Sequence, residues 1–207
     1  MFFDRFREYV FKPHRAFLVL LNAIKFEINY FRVLYRGKAH GIETNLGNWV
    51  KFYQETIVSG KGSIQIGENT FFGVAKGGGY RYNVTELQPR YKGSKIIIGK
   101  NVAINNSSFI CAANKIEIMD NCLIGRNVSI TDFEAHGTSP DERNELGRIG
   151  EVIISKNVWI GNNVTILKNV TIGKDSIIST GSVVFKGNYP PKCIIGGNPA
   201  KVVKFID

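Results

Sequence analysis

The stretch ISKNVWIGNNVTILKNVTIGKDSIISTGSVVFKGNY, from Ile154 to Tyr189, places an aliphatic residue at every sixth position: Ile154, Ile160, Ile166, Ile172, Ile178 and Val184. Four positions after each of the first five comes a second small or β-branched residue: Val158, Val164, Val170, Ser176 and Ser182. A helix would repeat at about 3.6 residues and a half-buried strand at 2, so neither explains the beat. Between the aliphatics stand Asn157, Gly161, Asn163, Asn169 and Gly173, residue types that tolerate the backbone angles of a turning chain. A short strand followed by a corner, kept in phase hexad after hexad, is the signature of a parallel β-helix. Three hexads close one coil of about 18 residues, and coils stack at about the 4.8 Å strand spacing.

The beat extends upstream. Ile98, Ile104, Ile110 and Ile116 keep it, and after a two-residue shift so do Ile118, Ile124 and Ile130. GSIQIGENTFFG, with Ile66, Gly67, Thr70 and Phe72, fits the same pattern, so the solenoid is expected to begin near residue 57. The expected organisation is a helical capping segment over residues 1–56 and a β-helix over 57–207. Two long interruptions, 74–95 and 131–152, would project from it as loops able to grip a ligand. Within the capping segment, Phe17, Leu18, Leu21, Ile24, Ile28, Phe31 and Leu34 form a helical apolar stripe expected to lie against the open end of the solenoid.

Composition narrows the function classes. Of 207 residues, 43% are apolar and 21% charged, the balance of a globular protein rather than a disordered or collagenous one. The apolar run from Ala16 to Ala23 is broken by Asn22 and is too short to span a bilayer. The first residues have no cleavage site of the secretory type, so a cytoplasmic protein is expected. Cys111, Cys122 and Cys193 lack CxxC spacing and nearby ligand-type histidines, which argues for small core residues and against a disulfide framework or zinc. His14 and His40 lack acidic or cysteine neighbours at ligand spacing, so no metal site is expected. The net charge of +10 favours anionic partners. Basic and aromatic residues do not interleave along the coils, which speaks against nucleic acid. Residues 1–40 carry eight Lys and Arg (Arg5, Arg7, Lys12, Arg15, Lys25, Arg32, Arg36, Lys38) against Asp4, Glu8 and Glu27, a pattern that suits peripheral contact with an anionic membrane.

Residues 98–204, and most specifically the run from NVWIG (157–161) through GNPAK (197–201), resemble the hexapeptide-repeat acyltransferases, and in particular the sugar O-acetyltransferase branch that includes galactoside and maltose acetyltransferases. The resemblance implies a left-handed winding, a homotrimer with active sites between subunits, and acetyl-coenzyme A as acyl donor. ITDFEAHGT (130–138) resembles the loop that carries the family's catalytic histidine, which makes His136 the general base. Asp132 or Glu134 would orient its ring. NVAINNSS puts Asn105 where these enzymes present an asparagine to the acceptor, whereas CAAN at 111–114 lacks their acceptor-binding aspartate and so argues against a small galactoside or maltose acceptor. By the same correspondence Trp159 lies beside the thioester, Asn162 and Thr180 contact the pantetheine arm, and Lys186, Lys201 and Lys204 meet the nucleotide phosphates. The expected activity is O-acetylation of a sugar in bacterial surface polysaccharide synthesis. The rival readings are N-acetylation of an amino sugar or antibiotic, and a scaffolding solenoid without chemistry.

Overall fold

A computed structural model describes residues 13–79 and 83–207. After helix α1 (Pro13–Ala39) the chain winds through six coils of three strands each. These are β1 (Glu43–Leu46), β2 (Lys51–Phe52) and β3 (Thr56–Val58); β4 (Ser63–Ile66), β5 (Phe71–Phe72) and β6 (Thr85–Pro89); β7 (Lys95–Ile98), β8 (Ala103–Ile104) and β9 (Phe109–Ala112); β10 (Lys115–Ile118), β11 (Leu123–Ile124) and β12 (Ser129–Thr131); β13 (Glu151–Ile154), β14 (Trp159–Ile160) and β15 (Thr165–Ile166); β16 (Val170–Ile172), β17 (Ile177–Ile178) and β18 (Val183–Val184). The chain closes with β19 (Gly187–Tyr189), β20 (Cys193–Gly197) and β21 (Ala200–Phe205). The first strand of every coil joins one parallel sheet, the second another and the third a third, and β20 and β21 pair antiparallel.

The hexad aliphatics are the core. Ile104, Ile124, Ile160 and Ile178 stack in register through the second sheet, and Ile110, Ile130, Ile166 and Val184 through the third. All of them are buried. Corners are turned in the left-handed backbone region by Asn69, Asn101, Asn121, Asn127, Asn157, Asn163 and Asn169, with φ from 55° to 61°. Asparagine tolerates that region better than other residues with a side chain.

Three expectations change. The solenoid begins at Glu43, since β1 pairs with β4 (Leu46 beside Ile66); the beat is present there as Leu46, Phe52 and Val58, but an aromatic fills the middle hexad. The interruption at 74–95 contains β6, whose buried Thr85, Leu87 and Pro89 alternate with half-buried Glu86 and Gln88 and carry no aliphatic beat. The helix does cap the first coil, but through another face than the apolar stripe. Val33 is fully buried, Asn29 Nδ2 donates to the Phe52 carbonyl at 3.1 Å, and Arg32 and Arg36 both reach Glu55. The open coil end presents a carbonyl and a carboxylate, and it takes the polar and basic side of the helix. Leu21, Ile24, Ile28 and Phe31 are left exposed.

Because Ile160 stands in the middle of one of these inward columns, Ile160→Ala should lower the unfolding free energy by about 2–5 kcal/mol. Urea titration followed by circular dichroism measures it, and a loss below about 1 kcal/mol would mean that the columns do not carry the fold.

Candidate active site

Two corners of the triangular coil collect most of the residues singled out in the sequence. The corner between the second and third sheets collects Asn105, Gly125, Asn162 and Thr180, and together with Trp159 and Leu123 on the outer face of the second sheet these line a groove of about 280 Å³. The coils can approach closely there because the corner residue is glycine. A Cβ on Gly125 would lie 2.5 Å from the Gly161 carbonyl carbon, and one on Gly161 would lie 2.6 Å from the Thr180 nitrogen. Four of the residues singled out in the sequence, Asn105, Trp159, Asn162 and Thr180, therefore line one cavity. Trp159 and Leu123 are about half exposed there.

The first of the two interruptions expected to grip a ligand begins with a glycine-rich loop that borders the groove. It leaves β5 at the same corner. The buried carboxamide of Asn106 accepts from the Val74 amide at 2.9 Å and donates to the carbonyls of Val74 and Gly78. Buried Gln54 donates to the carbonyls of Gly79 and Asn83 and accepts from the Ser107 amide and the Thr85 hydroxyl. With this anchoring Gly77 passes so close to Asn105 that a Cβ would lie 2.2 Å from its Oδ1. The Asn105 oxygen already accepts from the Asn106 amide at 2.7 Å, which leaves its NH₂ as the group for a ligand. Val74 and Phe71 complete the wall. The signal for this loop was in the sequence, as three glycines between an aromatic strand and a basic stretch, but its partners, Gln54 and Asn106, are buried corner amides like many others.

The second corner, between the third and first sheets, carries the long loop between β12 and β13. Its two arms run antiparallel: Glu134 N donates to the Arg148 carbonyl at 2.9 Å and Gly147 N to the Glu134 carbonyl at 3.1 Å. Phe133 anchors the root, with the Arg90 guanidinium 5.0 Å from its ring centre. His136 is exposed on the first arm, and its Nδ1 lies 2.7 Å from the carbonyl oxygen of Arg143 at the loop tip. A carbonyl can only accept, so Nδ1 carries a proton, and in the neutral ring Nε2 is the nitrogen left with a lone pair.

The acids near His136 have other tasks than the one expected of them. Asp132 is fully buried and accepts from the backbone amides of Ala113 at 2.6 Å and Asn114 at 2.9 Å, which ties the loop root to the preceding coil. Burial pushes its carboxyl up, and backbone N–H donors, chiefly those of Ala113 and Asn114, pull against that shift. Glu134 pairs with Lys168 and accepts from the Arg148 amide; the hydrogen bond from Lys168 holds its carboxyl below the ordinary range. The orienting group is the Arg143 carbonyl, contributed by backbone and therefore invisible in residue types.

The lysines divide between the two ends of the arrangement. Lys204 pairs in register with Ile194, which continues the column Trp159, Ile177, Ile194 of the second sheet, and Lys201 pairs with Gly196. Trp159 and Lys204 are thus three strand spacings apart, roughly 14 Å. Lys186 lies after β18, at the corner of His136 rather than of the groove. All three are exposed. The cysteines are buried and free, and burial pushes Cys111 and Cys122 up to about 11, which leaves them as thiols. Among the described residues no cluster of His, Cys, Asp and Glu could hold a metal, and no helix is long and apolar enough to cross a membrane.

Comparison with known proteins agrees with the repeat. Residues 151–186 match the family described as bacterial transferase hexapeptide (six repeats). A galactoside acetyltransferase solved with coenzyme A is 31% identical over 69% of this chain, with a TM-score of 0.54; the chain spans 64% of that protein's length. The polySia-specific acetyltransferase NeuO is 25% identical over 80% of this chain and 82% of its own, also with a TM-score of 0.54. AntD, an N-acyltransferase from Bacillus cereus solved with dTDP and 3-hydroxybutyryl-CoA, shares the fold at 19% identity and a TM-score of 0.61, over 82% of this chain and 86% of its own. The solenoid is accordingly a left-handed parallel β-helix of hexapeptide repeats.

Asp132→Asn keeps the size of the side chain but turns one acceptor into a donor facing a backbone N–H. We expect a loss of about 1.5–3 kcal/mol in unfolding free energy and faster amide exchange at Ala113 and Asn114. Unchanged exchange at those two amides would remove the anchoring role.

Proposed function

We propose that the chain is an acetyl-coenzyme A-dependent O-acetyltransferase acting on a sugar hydroxyl, in the synthesis of a bacterial surface polysaccharide. The observation that carries the reading is the exposed His136 ring, whose Nδ1 proton is held by the Arg143 carbonyl, so that the neutral ring accepts a proton at Nε2. In the reaction the sugar oxygen attacks the thioester carbonyl while Nε2 takes the hydroxyl proton. The tetrahedral adduct then collapses, the carbon–sulfur bond breaks, and the proton passes from Nε2 to the departing coenzyme A thiolate. Asn105, whose NH₂ is free to donate, suits the acceptor oxygen or the developing oxyanion. Trp159, Asn162 and Thr180 suit the thioester and pantetheine arm, and the column leading to Lys204 suits an extended donor ending in phosphates.

The base and the groove lie on different corners of one coil stack. A complete site follows if one copy supplies His136 and a neighbour supplies the groove, which favours a homotrimer. The half-exposed Leu123 and Trp159 would then lie near a neighbouring copy. Lys186, on the histidine's corner, would reach the donor bound to the neighbour, while Lys201 and Lys204 would reach it from the groove's own side. A net charge of +10 suits an anionic donor, and it suits an acidic glycan equally well. Membrane contact through the amino-terminal segment is supported by the exposed stripe of Leu21, Ile24, Ile28 and Phe31; Arg5, Arg7 and Lys12 lie outside the described residues, as does the Arg15 side chain.

His136→Ala should keep the fold and lower turnover by about 10²–10⁴-fold, read as coenzyme A release across an acceptor panel that includes amino sugars, with mass analysis of products. Turnover at the wild-type level would sink the mechanism, and N-acetylated product would replace the oxygen acceptor with a nitrogen one. Thr180→Tyr should block the groove and raise the apparent constant for acetyl-coenzyme A. Assayed at an acetyl-coenzyme A concentration at which neither variant alone turns over measurably, an equal mixture of His136→Ala and Thr180→Tyr chains unfolded and refolded together should restore up to about a quarter of wild-type activity if sites form between copies, and none if each site is made by a single chain. Flotation with anionic vesicles at low salt tests the membrane contact; no flotation would end it.

A further inference from the structure

A second cavity, of about 390 Å³, lies on the outer face of the second sheet at the amino-terminal coils and is lined by Trp49, Lys51, Tyr53, Asn69 and Phe71. Phe71 also lines the groove at Asn105 and Trp159, so the two cavities adjoin along one face. The outward column of that sheet runs in register through Lys51, Phe71, Ala103, Leu123 and Trp159, four strand spacings or roughly 19 Å. The donor is assigned to the carboxyl-terminal side of Trp159, and this second cavity extends in the opposite direction.

Trp49 stands at a position that makes its side chain conspicuous. It occupies the corner place taken in the following coils by Asn69, Asn101, Asn121, Asn157 and Asp175, all with φ near 60°. Trp49 adopts φ 61° as well and is 75% exposed. A bulky side chain in the left-handed region is strained where asparagine is tolerated, and an exposed indole gains nothing from burial. Neither the backbone nor the core of the solenoid calls for tryptophan there. Next to it the Tyr53 and Phe71 rings meet edge to face with centroids 6.0 Å apart, while Lys51 and Asn69 add a cation and an amide. Flat aromatic faces flanked by hydrogen-bonding groups suit the alternating CH-rich faces and hydroxyl edges of pyranose rings.

We propose that this trough is a glycan subsite in which Trp49 stacks on a sugar unit remote from the acetylated one, so that the acceptor is an oligosaccharide or polysaccharide rather than a free monosaccharide. The proposal rests on the acetyltransferase reading for the direction of the chain and the identity of the adjoining groove. The occupant is argued from continuity through Phe71: a chain lying in the second cavity runs directly into the groove of the first.

Two measurements on the full chain separate the proposal from that reading. Binding to an immobilised panel of capsular and lipopolysaccharide glycans, from monosaccharides to hexasaccharides, should favour the longer chains. Trp49→Ala should weaken that binding by about tenfold, with monosaccharide binding unchanged. Initial rates with acetyl-coenzyme A should give the same pattern, a raised KM for long acceptors with kcat and the constant for acetyl-coenzyme A unchanged. Turnover that ignores both acceptor length and Trp49 would overturn the subsite and leave the acetyltransferase standing. Glycan binding that depends on Trp49 without release of coenzyme A from any acceptor would overturn the enzyme reading and leave the subsite. Binding to no glycan on the panel, or a change of sedimentation coefficient in Trp49→Ala showing that the indole sits between copies, would end the proposal.

Discussion

Every other feature depends on the in-register stacking of identical corners. A coil of three short strands has no core by itself; its inward aliphatics are buried only because the coils above and below repeat them at the same place. Register between coils is fixed by the sheets, and a shift of one residue would turn the isoleucine columns outward. The corners must therefore repeat as strictly as the strands, and this requirement accounts for asparagine in the left-handed region and for glycines where coils come closest. Departures from the repeat cost stability, so where they occur they point to what the scaffold carries.

The departures fall at corners because corners can be lengthened without disturbing the sheets. Insertion of residues 132–150 leaves β12 and β13 in their proper sheets, and insertion of residues 73–84 does the same for β5 and β6. Each insertion is tied down by buried polar side chains at its root, Asp132 for one and Gln54 with Asn106 for the other. A loop anchored in this way can hold a functional group in a defined place although it lies outside the repeating core.

What could be read from the sequence follows from the same physics. The hexad beat reports burial directly, so the coils from residue 95 onward are legible in it, whereas the groove residues Trp159, Asn162 and Thr180 are marked only by the family resemblance. The first coil was hidden by Phe52, which fills a hexad with an aromatic, and β6 was hidden by Glu86 and Gln88. The roles of Asp132 and Glu134 were misjudged because closeness in sequence to His136 says nothing of direction: one points into the solenoid and the other across to Lys168. The Arg143 carbonyl had no signal at all, since every residue has one. The packed face of α1 was misread because a helix meets a coil end rather than a sheet, and an end exposes backbone carbonyls that ask for Asn29 more than for leucine.

A solenoid also gives a long ligand a direction. Coils stacked along one axis present their outer faces as a straight strip, so a donor and an acceptor that share this strip must approach from opposite ends. Lys201 and Lys204 mark one end of the strip with cations, and Trp49 with Lys51 marks the other with an aromatic face and a cation. On the proposed acetyltransferase reading the reacting atoms would lie between them, near Trp159 and Asn105, where neither ligand's remote part needs to be displaced for the other to bind. His136 of a neighbouring copy would have to meet only the middle of the strip, and the exposed position of its loop permits that approach.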